Sequence, residues 1–183
     1  MTKLDGVPGT VAVGDPHIVG DQNQVGDPTL FVGTSAGSLY NLSAADGSLH
    51  SRFAMGSPIA GGPALGDVNA DGVAEIMVGS GNGDIYAFDQ TDDKPLPLWV
   101  ARLGVRLSAS PALANGILYL VAEGGDISRG DPGILFTLNA LTGQVLSQVG
   151  LPSVVSTSPI VADGQVFLAA DDGHVYMMVP VAE

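Results

Sequence analysis

One short stretch, residues 66–75, concentrates oxygen-bearing side chains that can bind a metal ion. It reads Gly-Asp-Val-Asn-Ala-Asp-Gly-Val-Ala-Glu, and Gly72 permits the tight turn that lets these side chains converge. The predicted ligands are Asp67, Asn69, Asp71, the backbone carbonyl of Val73, and Glu75. Hard oxygen ligands in this number suit Ca²⁺ better than Mg²⁺ or zinc. The alternative is an Asx-rich turn without a metal, in which the three carboxylates would repel one another.

A second stretch, residues 20–26, matches this loop at a constant offset of 46 residues but has fewer donors. Val25 and Thr29 stand where the third and last ligands stand, so only Asp21 and Asn23 remain as matching side chains. We therefore predict weak or no metal binding there.

The elements that position these loops repeat along the chain. Proline-led segments begin at Pro16, Pro63, Pro111 and Pro159, at separations of 47, 48 and 48 residues. Each is followed by an apolar β-type run and then by a glycine-led run with one aromatic residue. These aromatic residues are Tyr40, Tyr86, Phe136 and Tyr176. Three copies carry a further strand candidate, and no sustained helical periodicity is present. This pattern predicts an all-β fold, a β-propeller with about four four-stranded blades whose aromatic residues pack between blades.

The whole chain, 1–183, is expected to be one propeller region. The expected blade boundaries are about 8–56, 57–104, 105–151 and 152–183. The last blade is incomplete because it lacks a fourth strand, which residues 1–7 can supply. We expect a segment of a larger ring, or a ring completed by a second chain, rather than a closed four-bladed monomer.

Composition restricts the partners. Nineteen Asp and Glu residues against six Lys and Arg give a net charge of −13, which repels nucleic acid and anionic membrane surfaces. No stretch has the length of apolar sequence that a membrane span needs, so we expect no membrane insertion. The absence of cysteine excludes disulfides, thiolate zinc sites and thiol nucleophiles.

Two family resemblances follow from these motifs. The segment 67–79 resembles the calcium-loop repeat called FG-GAP, and the segments 158–167 and 171–176 resemble the quinoprotein-type (PQQ-like) repeat. The resemblance implies a propeller with a structural calcium ion in a blade loop, in an extracellular or periplasmic location. It implies fold more strongly than function, because such rings serve enzymes, adhesins and scaffolds.

Three functions remain as alternatives. A non-catalytic binding module, with a protein or glycan ligand on the loop face, is favoured. The presence of a single tryptophan, Trp99, and the lack of cysteine argue against a quinoprotein dehydrogenase fragment. A calcium-assisted polysaccharide lyase is opposed by the scatter of the six basic residues.

Two smaller motifs carry little weight. The histidines His17, His50 and His174 show no metal-ligand spacing. The tripeptide Arg129-Gly130-Asp131 resembles an adhesion motif, and chance explains it better in a chain rich in glycine and aspartate.

Overall fold

A computed structural model describes residues 2–14, 28–89, 96–107, 109–124 and 131–179. Within these ranges the chain consists of strands and turns, and no helix is present. Accordingly, none of the described segments is a helix that could cross a membrane.

The strands form four antiparallel sheets in chain order, which we call blades 1 to 4. Blade 1 contains β1 (Pro8–Gly14), β2 (Thr29–Thr34), β3 (Ser38–Ser43) and β4 (Leu49–Ala54). Blade 2 contains β5 (Ala64–Gly66), β6 (Glu75–Gly79), β7 (Asp84–Phe88) and β8 (Pro97–Arg102). Blade 3 contains β9 (Ala112–Ala114), β10 (Ile117–Ala122), β11 (Ile134–Asn139) and β12 (Val145–Gly150). Blade 4 contains β13 (Ile160–Ala162), β14 (Gln165–Ala169) and β15 (Val175–Met178).

The blades are arranged side by side around their first strands. β1 contacts β5, β5 contacts β9, and β9 contacts β13. No contact of that extent joins β13 back to β1 in the part of the chain that the structure describes. The four blades therefore form an open arc, as predicted for an incomplete ring.

Hydrophobic burial between blades holds this arc together. Three buried clusters lie between successive blades, because the middle strands of each blade are apolar on both faces. Phe31 of blade 1 meets Ile76 and Val78 of blade 2, and Met77 on the opposite face meets blade 3. Adjacent residues of one strand thus serve two interfaces, as the alternation of side chains in a β-strand requires.

The repeated aromatic residues have different surroundings. Tyr86 packs between blades 1 and 2, with its ring centre 5.9 Å from that of Phe53 of blade 1, and Phe136 lies in the core between blades 2 and 3. Tyr40 is buried on the face of blade 1 that points away from blade 2, and the Tyr176 hydroxyl donates a hydrogen bond to Asp172. The predicted packing between blades is therefore confirmed for the two central aromatic residues.

The first strand of blade 1 differs from the expectation. It spans Pro8–Gly14, and the proline-led segment that begins at Pro16 lies outside the described residues. Ala12 of β1 pairs with Phe31 of β2, and Ala64 of β5 pairs with Met77 of β6 in the same way. The first strands of blades 1 and 2 are therefore 52 residues apart, whereas their second strands are 46 residues apart. The 47-residue spacing from Pro16 to Pro63 therefore does not locate the first strand of blade 1, because the connection between the first two strands is longer in blade 1 than in blade 2.

Candidate functional site

The predicted metal loop connects β5 to β6 across one end of blade 2. Gly66 and Glu75 pair with each other at the ends of the two strands, and the intervening residues form a compact loop. Asp67 binds this loop from within: its Oδ1 accepts the Ala70 amide at 2.7 Å and its Oδ2 accepts the Gly72 amide at 2.9 Å. Gly72 adopts a φ of 87°, which explains the glycine at this point of the turn.

Asn69 and Asp71 form the second half of the loop. Asn69 Oδ1 accepts the Asp71 amide at 2.9 Å, and Asp71 Oδ1 accepts the Val73 amide at 2.8 Å. The Asn69 amide group also donates to Asp71 Oδ2 at 2.9 Å. These side chains therefore turn the backbone in the manner of Asx turns, and each bond uses only one of the lone pairs of its oxygen.

Glu75 lies beneath the loop and has no exposed surface. One carboxylate oxygen, Oε2, accepts the Val68 amide at 2.8 Å, whereas Oε1 is buried and has no hydrogen-bond partner among the described residues. Burial raises the pKa of the Glu75 carboxyl, and the nearby charges of Asp71 and Asp67 raise it further, although the Val68 amide opposes the shift. A buried acid with an unpaired oxygen is costly unless something compensates its charge.

The five predicted ligands thus belong to one small loop and the strand residue that closes it. Their hard-oxygen donors and the unpaired Glu75 oxygen fit a calcium ion. In the described ranges, no group of three or more His, Asp or Glu side chains is already arranged to hold a metal. The residues predicted for the weaker site, Asp21 and Asn23, lie outside the described residues.

A second polar cluster, which the sequence reasoning missed, fixes the N-terminal segment to blade 1. Asp5 accepts hydrogen bonds from Ser38 Oγ at 2.7 Å and from Thr34 Oγ1 at 3.0 Å, and it pairs with the Arg52 guanidinium. The Ser38 hydrogen bond is the largest influence on the Asp5 pKa, which is lowered despite partial burial. Arg52 also lies 5.5 Å from the ring centre of Tyr40. A signal was present in the sequence, since Lys3-Leu-Asp-Gly-Val7 loosely resembles Arg102-Leu-Gly-Val105, where the chain leaves blade 2.

The residues that bear on the enzymatic alternatives have structural contacts. Trp99 donates its indole N–H to the Ala140 carbonyl at 3.1 Å, which joins blade 2 to blade 3. Arg106 lies 3.6 Å from a Glu123 carboxylate oxygen. The described residues do not include His17, Arg129, Gly130 or Lys94, which is one of the six basic residues.

Radially arranged sheets of three or four strands, joined by apolar cores and open at one point, define a β-propeller repeat protein. The family model described as outer membrane protein assembly factor BamB (PQQ_2) matches residues 35–133 and again, one repeat later, residues 81–179. The chain belongs to this family of PQQ-like propeller repeats, which confirms the quinoprotein-type resemblance. No curated protein matches the chain.

Solved structures share the fold. The BamB structure from Moraxella catarrhalis is 19% identical with a TM-score of 0.61, over 83% of this chain and 45% of that chain. Sqt1 from Saccharomyces cerevisiae is 10% identical with a TM-score of 0.71, over 92% of this chain and 45% of that chain. The computationally designed Ika4 protein is 19% identical with a TM-score of 0.63, over 82% of this chain and 84% of that one. The chain therefore spans less than half the length of the two natural structures but most of Ika4.

Proposed function

We propose that this chain is a non-catalytic interaction module of the propeller class, with a structural Ca²⁺ ion in the β5–β6 loop. The family description names an assembly factor for outer membrane proteins, which favours a protein ligand over a glycan for this member. The same description supports a periplasmic location, which is one of the two locations expected from the sequence.

The antiparallel topology supports a binding role for one end of the arc. In a four-stranded meander, the first and third connections of each blade lie at the same end. The β5–β6 loop therefore shares a face with the turn 44–48 and the hairpin turn at Asn115-Gly116. Loops on a rigid β scaffold are common binding surfaces, and the net charge of −13 favours a partner with a basic surface.

The observation that carries the calcium proposal is the Glu75 carboxylate, buried with one unpaired oxygen beside Asp67 and Asp71. When bound, the ion would supply the compensating charge for this acidic loop. Asp67, Asn69, Asp71, the Val73 carbonyl and Glu75 would hold it. Its role is to stiffen the connection between β5 and β6 at this end of the arc.

Thermal unfolding with and without Ca²⁺ tests this proposal. Millimolar Ca²⁺ should raise the Tm relative to EDTA, because a ligand that binds only the folded state stabilises it by about 2.7 kcal/mol at a hundredfold excess over Kd. Asp71→Ala should abolish the rise, and Asp163→Asn, which removes one charge from a hairpin turn of blade 4, should retain it. An equal rise in Asp71→Ala would remove this loop from the proposal.

The non-catalytic assignment has its own assay. Added PQQ with Ca²⁺, a primary alcohol and an artificial electron acceptor should give no dye reduction, and a polyuronate substrate should give no unsaturated product. Turnover of either kind by the purified chain would contradict the assignment.

A further inference from the structure

The two ends of the blade arc expose faces that match the interfaces inside it. Each internal interface joins the forward face of one blade, which points toward the next blade in sequence, to the backward face of that next blade. The forward face of blade 4 and the backward face of blade 1 lack such a neighbour in the described structure.

The forward face of blade 4 is an apolar row across three strands. Ile160 pairs with Phe167, and Phe167 pairs with Met177, so these side chains lie on one face. Ile160 is 65% exposed and Met177 is 56% exposed. In blade 3, Ala112 and Tyr119 form the corresponding pair 48 residues earlier, and they pack against blade 4. The same face is thus covered in blade 3 and uncovered in blade 4.

The backward face of blade 1 is also built like an internal interface. Val11 and Val13 are exposed on β1, whereas Val32 and Tyr40 on the middle strands are buried beneath Leu4. Leu4 packs on blade 1 as a residue of the linker between two blades packs on each later blade. These linker residues are Met55, Leu103 and Leu151, which lie in the three cores between blades. Blade 1 therefore carries the linker part of a preceding interface without the preceding sheet.

Backbone hydrogen bonds place the N-terminal segment in the same way. In blades 2 to 4, the chain arriving from the previous blade accepts an amide from the turn after the second strand of the new blade. These bonds run from Gly81 to Pro58, from Glu123 to Arg106, and from Asp171 to Val154. Ser35 donates the corresponding bond to Val7 at 2.9 Å. Residues 4–7 thus lie on blade 1 as an incoming linker lies on every other blade.

A polar series near the inner strands continues this repetition. The Gly62 amide donates to Ser110 Oγ at 2.7 Å, and the Ser110 amide donates to Ser158 Oγ at 3.0 Å, so each blade donates to a hydroxyl of the next. In blade 1, at the start of this series, Thr10 lies against Gly62 and is exposed. A blade 1 placed after blade 4 would bring the Thr10 hydroxyl to the Ser158 amide.

We propose that two copies of this chain associate head to tail, with the forward face of blade 4 of each copy against the backward face of blade 1 of the other. This inference rests on the propeller architecture of the proposed function and names a second copy as the partner. Because the two faces differ, the contact is heterologous, and two open arcs of four blades close into one eight-bladed ring. Eight blades lie within the usual range for propellers.

Light scattering on the purified chain measures the association directly. The expected mass is twice the chain mass of 18.5 kDa, constant across two decades of protein concentration. The mass of a single chain would overturn the proposal and leave these faces to other blades or another protein. Masses that grow with concentration would also overturn it, since they indicate an open filament rather than a ring.

Charged substitutions test which faces meet. Met177→Asp on blade 4 and Val13→Asp on blade 1 should each weaken the dimer by about 100-fold or more, because an unpaired carboxylate would be buried in an apolar interface. Leu146→Asp, at a residue of similar exposure on the outer strand β12, is the matched control and should leave the dimer unchanged.

A mixing experiment distinguishes head-to-tail pairing from pairing of like faces. Met177→Asp mixed with Val13→Asp should recover a dimer, since one of its two interfaces then contains only natural faces. If only one of the two variants disrupts the dimer, or if mixing restores nothing, the head-to-tail arrangement is wrong. The calcium-dependent rise in Tm should persist in both variants, so failure of the dimer and failure of the calcium site give different results.

Discussion

The Glu75→Gln substitution gives the sharpest test of the metal loop. Glutamine keeps the shape of the side chain and an oxygen that can accept the Val68 amide, but it removes the buried charge. Without metal, that charge is desolvated and repelled by Asp67 and Asp71. We therefore expect Glu75→Gln to stabilise the calcium-free protein and to destabilise the calcium-bound one, because a ligand is lost.

The size of the effect follows from the buried charge. Glutamine still leaves an amide NH2 group without a partner where Oε1 lies, so the gain is only the extra cost of a buried charged group over a neutral polar one, on the order of 1–3 kcal/mol. A change of 1 kcal/mol moves the Tm of a chain of this size by about 2–4 °C. Glu75→Gln should thus raise the Tm in EDTA by about 2–12 °C at neutral pH.

The assay is thermal unfolding, followed by Trp99 fluorescence, in EDTA and in Ca²⁺. Asp163→Asn is the matched control because it removes one charge from a turn whose equivalent in blade 3 already has asparagine, Asn115. It should shift the Tm little and leave the calcium response unchanged. A fall in Tm for Glu75→Gln in EDTA as large as that in Ca²⁺ would show that the carboxylate stabilises the loop by itself, and would refute the reasoning.

Three further predictions concern pH, a close backbone approach and a contact between blades. The pKa of Glu75 is raised in the folded state, so its protonated form contributes stability below the ordinary value of 4.5, and this contribution is lost as the pH rises through the folded pKa. Measuring the Tm in EDTA as a function of pH should show this loss in the wild type and not in Glu75→Gln. Gly83→Ala should lower the free energy of unfolding by about 2–4 kcal/mol, whereas Gly173→Ala should cost only about 1 kcal/mol in denaturant unfolding. Both glycines have positive φ, but a Cβ at Gly83 would lie 2.4 Å from the Val105 carbonyl oxygen and one at Gly173 would meet nothing within 4 Å. Trp99→Phe should lose about 1 kcal/mol in urea unfolding followed by circular dichroism, because its hydrogen bond to blade 3 disappears; an unchanged midpoint would show that this contact contributes nothing.

Much of the fold could be read from local pattern. Alternating apolar residues at a regular spacing predict strands, and the spacing itself predicts blades, because each four-stranded sheet must bury two faces against neighbours like itself. The run Asp67 to Glu75 likewise predicts a turn rich in oxygen atoms. These features depend on residues close together in sequence, so the sequence alone is sufficient to indicate them.

The first strand shows where pattern failed. Pro16 matches the prolines of the other repeats, but the inner strand of blade 1 is Pro8–Gly14, which pairs with β2. The choice between two apolar segments depends on which one packs against blade 2, and Ala12 belongs to that core. The sequence does not specify such long-range contacts.

Local sequence indicates the repeat, the strand content and the donor set of the loop. Tertiary packing, by contrast, buries Glu75 with an unpaired oxygen, fixes the N-terminal segment to blade 1 through Asp5, and leaves Met177 exposed at the end of the arc. Burial depends on the neighbours that a residue acquires when distant segments pack, and no single stretch of sequence specifies those neighbours. Repeats with nearly the same local sequence can therefore lie inside an interface in one blade and at a free face in another.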